Sequence, residues 1–89
     1  MTEQQIQKKK IKELEDCGYY VIKLIKTNKN GIPDILALHP TYGIEFYEVK
    51  NKKGKTSKLQ EYRLKELENH GIEVEVYKGI KSNQNGTTN

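Results

Sequence analysis

The stretch GIPDILALHPTYGIEFYEVK, residues 31–50, decides how the rest of the chain reads. Pro33 opens a short apolar run, Asp34-Ile35-Leu36-Ala37-Leu38, and His39-Pro40-Thr41-Tyr42-Gly43 turns the chain. Ile44-Glu45-Phe46-Tyr47-Glu48-Val49-Lys50 then reads as a strand. Side chains alternate along a strand, so Ile44, Phe46, Glu48 and Lys50 share one face. A carboxylate and an ammonium therefore stand beside an Ile and a Phe, partly out of water. Burying such charges demands that they neutralise each other or bind a ligand. Asp34 falls on the same face as Leu36 and Leu38, so if the two strands are neighbours it approaches Glu48. Two close carboxylates repel unless a cation lies between them. Hard oxygen donors of this kind suit magnesium or manganese. Lys50 points into the same place, where it could orient or help deprotonate an attacking water. A bare Glu-x-Lys is most simply a strand salt bridge; Asp34 after Pro33 tips the balance toward a site.

On the N-terminal side, Thr2 followed by Gln5 predicts a capping box opening a helix to Asp16, which Gly18 ends. Ile6, Ile11, Leu14 and Cys17 form its apolar arc, and Glu3 falls within about 20° of Leu14, inside that arc. Tyr19 to Ile25 reads as a strand and Thr27 to Gly31 as a polar loop. On the C-terminal side, Thr56 or Ser57 caps a helix to about His70, closed by Gly71. Leu59, Leu64 and Leu67 form its arc, with Gln60 set among them and in need of hydrogen-bond partners. Ile72 to Tyr77 alternates strictly and predicts a half-exposed strand. The expected fold is one compact α/β domain over residues 1–78, in the order helix, three strands, helix, strand, with a mixed sheet flanked by helices. Residues 79–89 form a polar tail expected to be disordered.

The 89 residues leave no room for a second domain, and with 34% apolar and 31% charged residues the core must be thin. No apolar run approaches the ~20 residues of a membrane helix, and no signal-peptide core follows Met1. The lone Cys17 excludes an internal disulfide and a cysteine-based zinc cluster, and His39 and His70 lack zinc spacing. The expectation is a soluble intracellular protein of the cytoplasm. A formal charge of +4 fits an anionic partner. Between Glu48 and Glu61 stand Lys50, Lys52, Lys53, Lys55 and Lys58 without an acid, and between Asp16 and Asp34 stand Lys23, Lys26 and Lys29. Both tracts flank the candidate site and could hold phosphates. The six tyrosines could stack on bases or serve a dimer, though partial burial in the core accounts for most of them.

Gly31-Ile32-Pro33-Asp34, Glu48-Val49-Lys50 and the later Gln60 resemble the virus-type replication-repair nuclease (VRR-NUC) domain of the PD-(D/E)xK superfamily, over residues 2 to 78. The resemblance implies that Asp34 and Glu48 bind Mg2+ or Mn2+, with the backbone carbonyl of Val49 as a further donor. It makes Lys50 the catalytic lysine, Gln60 an orienting residue, and Glu3 the match for a first-helix glutamate that shapes the metal site. It further implies a phage-type stand-alone member that dimerises and cuts branched DNA such as four-way junctions. Lys26, Lys29, Lys52, Lys53, Lys55 and Lys58 would then contact DNA. The competing readings are a DNA-binding module without catalysis, a flap, single-strand or RNA-directed nuclease, and a small interaction protein whose Glu48–Lys50 pair is structural.

Overall fold

The computed structural model describes residues 1–79, so nearly all of the expected tail lies outside the described residues. The elements run α1 (Glu3–Asp16), β1 (Tyr20–Lys23), β2 (Ile35–His39), β3 (Gly43–Val49), α2 (Lys58–Asn69) and β4 (Glu73–Tyr77), the order expected from sequence. Each helix is opened by a reciprocal cap. Thr2 Oγ1 accepts the Gln5 N–H at 3.2 Å while Gln5 Oε1 accepts the Thr2 N–H at 2.8 Å. Ser57, rather than Thr56, does the same with Gln60. Such boxes satisfy helix N–H groups that have no partner inside the helix, each worth about 1 kcal/mol.

The sheet order is β1-β2-β3-β4, antiparallel across the first three strands. α2 crosses over to return the chain parallel to β3. β1 is shorter than the expected Tyr19–Ile25 strand. After the Leu24 N–H donates to the Asp34 carbonyl at 2.7 Å, the chain leaves the sheet into the lysine-bearing loop.

The fully buried apolar core lies on the face of the sheet that α1 covers. Ile35, Ala37, Tyr47 and Val49 pack beneath Ile6 and Leu14 of α1, joined by Tyr77. Lys10 of α1 holds its ammonium 5.0 Å from the Tyr47 ring centroid and 4.4 Å from that of Tyr77, a cation–π contact that keeps a charge at the core margin. Glu45 accepts hydrogen bonds from the Tyr19 and Tyr47 hydroxyls. Burial and that carboxylate push the Tyr47 hydroxyl up, so it stays protonated.

Two expected core positions fall outside. Cys17 is exposed, because as the C-cap of α1 it leaves the helical arc while its N–H turns back to Glu13 and Leu14. α2 buries no residue fully, and Leu59 is 43% exposed. Its inner flank instead meets Gly31, which has φ +84°; a Cβ there would lie 2.8 Å from Leu59 Cγ and 3.3 Å from Arg63 Cγ. Gly31→Ala therefore combines a left-handed backbone with a steric clash. Its expected destabilisation is roughly 3 kcal/mol, read as a lower urea midpoint at unchanged slope. Among the described residues, no helix is long and apolar enough to cross a membrane.

Candidate active site

The register that pairs Ile35 with Tyr47 and Leu36 with Phe46, continued by one residue, sets Asp34 opposite Glu48. Side chains on this face point away from α1. Asp34 Oδ2 accepts the Val49 N–H at 3.0 Å, which fixes the carboxylate at the mouth of β2. Within a strand, the N–H and C=O of one residue project to the same side. The Val49 carbonyl therefore also faces Asp34, while the next N–H, that of Lys50, donates to Tyr77 in β4.

Glu48 is the one buried charged residue among those described, at 1% exposure. Its Oε2 accepts from Gln60 Nε2 at 3.1 Å and lies 3.7 Å from Lys50 Nζ. Its Oε1 is buried with no hydrogen-bond partner among the described residues. Burial and the neighbouring Asp34 charge push the Glu48 carboxyl up to about 7, opposed by the Lys50 ammonium. An orphaned anionic oxygen beside a second carboxylate and a backbone carbonyl is a donor set suited to a small hard cation. The residues present thus fit magnesium or manganese.

Gln60 has two fixed ends. Its Oε1 closes the Ser57 cap at 2.8 Å, which leaves Nε2 no choice but to face Glu48. The helix cap thereby orients the amide, and the amide holds the carboxylate. Gln60→Glu retains the cap, because glutamate closes the same box, but opposes Glu48 with an oxygen in place of a donor. The expected result is unchanged helix content by circular dichroism and at least a tenfold loss of Mn2+ affinity by calorimetry.

Glu3 is exposed at the start of α1. Its Oε2 accepts the Asn51 N–H at 3.4 Å, and its charge adds to the forces raising Glu48. Among the described residues, no three His, Cys, Asp or Glu side chains assemble as a metal cage. Lys52, Lys53 and Lys55 are exposed on the segment between β3 and α2, Lys58 is exposed at the start of α2, and Lys26 and Lys29 are exposed on the segment between β1 and β2. Two residues outside the sequence reading shape these segments. Asn51 Oδ1 accepts the Lys53 N–H and turns the first loop. Arg63 of α2 donates from Nε to the Asn30 carbonyl at 2.8 Å. Its signal in the sequence is its rarity, being the single arginine of the chain.

A small mixed sheet that brings an Asp and a Glu-x-Lys together at one strand end defines the class of compact α/β nuclease-fold domains. The family model for the VRR-NUC domain matches residues 2–81, and the chain belongs to that family, whose nuclease-fold domains process DNA. A solved structure described as a VRR_NUC domain is 29% identical, with a TM-score of 0.80, covering 91% of this chain and 89% of that one. No curated protein matches.

Proposed function

We propose that this domain is a metal-dependent DNA endonuclease that selects branched structure, such as a four-way junction, and works as a homodimer. The observation that carries it is the Asp34–Glu48 pair, with Lys50 Nζ 3.7 Å from the Glu48 oxygen that accepts from Gln60 Nε2.

Asp34, Glu48 and the Val49 carbonyl would hold Mg2+ or Mn2+. Bound there, the cation supplies Lewis acidity at a phosphate oxygen and lowers the pKa of a bound water. The protein supplies the rest. Gln60 keeps Glu48 aimed at the site, and Asp34 is anchored through the Val49 N–H. Lys50 presents its ammonium on the same face, where it orients the attacking water and balances charge on the five-coordinate phosphorus of the transition state. Lys26 and Lys29 on one side, and Lys52, Lys53, Lys55 and Lys58 on the other, engage the phosphate backbone. Lysine contacts to phosphate position a duplex without reading bases, which favours structure selection over sequence selection. The opposite end of the sheet is acidic, with Glu45, Glu68, Glu73 and Glu75 lining one concavity, so the field turns the basic end toward DNA.

Homodimerisation is supported by an apolar row on the sheet face away from α1. There Tyr20, Leu38 and Ile44 are in register, with Tyr20 70% and Ile44 48% exposed. A two-fold pair also places two sites on one branched substrate.

The test is cleavage of labelled four-way junction, flap, linear duplex and single-stranded DNA and RNA in Mg2+, Mn2+ or EDTA. The expected result is metal-dependent cutting with the junction preferred, by a species sedimenting as a dimer. Binding without cutting in either metal would establish a binding module. Preference for flap, single strand or RNA would reassign the substrate.

A further inference from the structure

The loop between β1 and β2 is ordered from inside and tied from outside. Inside, Thr27 Oγ1 donates to the Lys29 carbonyl at 2.6 Å and accepts the Lys29 N–H at 3.3 Å. Outside, the Arg63 guanidinium spans two elements. Its Nε–H reaches the Asn30 carbonyl at 2.8 Å, and its Nη1 pairs with Glu66 at 2.8 Å. The Arg63 side chain is 18% exposed, whereas Lys26 and Lys29 on the loop are exposed. The Arg63 stem also lies against Gly31, where a Cβ would come within 3.3 Å of Cγ. The loop encloses a small hollow lined by Lys26, Thr27, Lys29, Asn30 and Gly31. A planar fork that satisfies two acceptors in fixed directions is a task lysine cannot perform.

We propose that Arg63 is a positioning residue that locks the Lys26–Gly31 loop onto α2, so that Lys26 and Lys29 grip the DNA backbone beside the active site. This rests on the DNA-cutting function proposed above and adds to it a named support for one of the two phosphate grips. The polar partners of the Arg63 guanidinium are Asn30 and Glu66, not Asp34, Glu48 or Lys50. Asp34 has anchors of its own, its carbonyl taking the Leu24 N–H at 2.7 Å and its carboxylate the Val49 N–H at 3.0 Å. Losing Arg63 therefore loosens the phosphate grip and spares the metal site.

A double-mutant cycle tests this. Binding of a four-way junction is measured in EDTA, so that strands stay intact, across a series of NaCl concentrations. The proteins are wild type, Arg63→Ala, the Lys26→Ala/Lys29→Ala pair, and all three changes together. Each neutralised phosphate contact contributes about 0.9 to the slope of log K against log salt. The lysine pair should lower that slope by up to about 1.8 and weaken binding about tenfold at moderate salt. Arg63→Ala should produce most of the same loss with both lysines still present. Removing the lysines from the Arg63 variant should then cost no more than about twofold, because a loop already free has little left to lose. Mn2+ affinity of Arg63→Ala should stay within about twofold of wild type.

Additive losses, or an Arg63→Ala protein that is less stable but keeps the wild-type salt slope, would overturn the tether. Either could occur in a protein that still cuts DNA, leaving the nuclease reading intact. A wild type that fails to bind DNA at all would overturn both. Should Arg63→Ala not fold, Arg63→Lys carries the same test. It keeps the stem on Gly31 and the positive charge but lacks the Nε–H that holds Asn30, and the cycle should come out non-additive in the same sense.

Discussion

Lys50→Ala should lower the rate of DNA cleavage by about 10³-fold, the loss expected when a charge that stabilises the transition state is removed, while junction binding falls only a few-fold. The variant also disturbs a neighbour, because the Lys50 ammonium is what opposes the upward shift of Glu48. Without it Glu48 holds its proton to higher pH, and metal affinity at neutral pH should fall for that reason alone. The two effects separate on a pH axis. Raising the pH far enough ionises Glu48 in the variant too, so with Mn2+ binding followed by calorimetry up to pH 9 the affinity should climb back toward that of wild type. Cleavage should not return. If the variant cuts at the wild-type rate at pH 9 with saturating Mn2+, then Lys50 serves only to keep Glu48 ionised and has no role at the phosphate.

The chain order of elements and the first helix cap were legible from sequence, and so was the approach of Asp34 to Glu48 once their strands are taken as neighbours, for one reason. Each depends on local spacing: alternation along β3, a Thr three residues before a Gln, a Pro just ahead of an Asp. The second cap was narrowed only to Thr56 or Ser57. The deeper core was not legible. Ile44 and Phe46 look like the inward face of β3, yet the fully buried face carries Tyr47 and Val49, with Glu45 at its edge. Tyr47 and Glu45 belong there because the Tyr19 and Tyr47 hydroxyls converge on one carboxylate, a long-range pairing that composition cannot reveal. Leu59 looked like core and instead fills the space left by a missing side chain at Gly31. At the site, Gln60 stood out because an amide among leucines requires partners. That Ser57 settles which end of the amide faces Glu48 follows only from the cap geometry. Arg63 escaped notice because a charged residue on a thinly buried helix looks like ordinary surface until its Asn30 partner, 33 positions away, is known.

The stability of the metal-free protein should fall as pH rises from 5 to 8, and added metal should reverse that trend. Burial, then the Asp34 charge, lifts the Glu48 carboxyl from 4.5 to about 7 in the native state. Between those values the folded protein holds a proton that the unfolded chain has released. Raising the pH therefore favours unfolding. The stabilisation is complete below pH 4.5 and is lost through pH 7, a change of up to about 3 kcal/mol for a shift of this size. Metal binding requires the ionised form, so a cation stabilises the fold most where the free protein is weakest. In EDTA, Tm should drop between pH 5 and pH 8; in saturating Mg2+ the gain over EDTA should be small at pH 5 and largest at pH 8. Glu48→Gln keeps the shape and removes the titration, so it should flatten the EDTA profile over this range and abolish the response to Mg2+. A Glu48→Gln protein that Mg2+ still stabilises as strongly as wild type would place the cation elsewhere. A wild type whose EDTA profile rises with pH, in parallel with the variant, would mean that Glu48 is ionised throughout. In that case the Lys50 ammonium and the Gln60 amide would compensate the buried carboxylate without need of a metal.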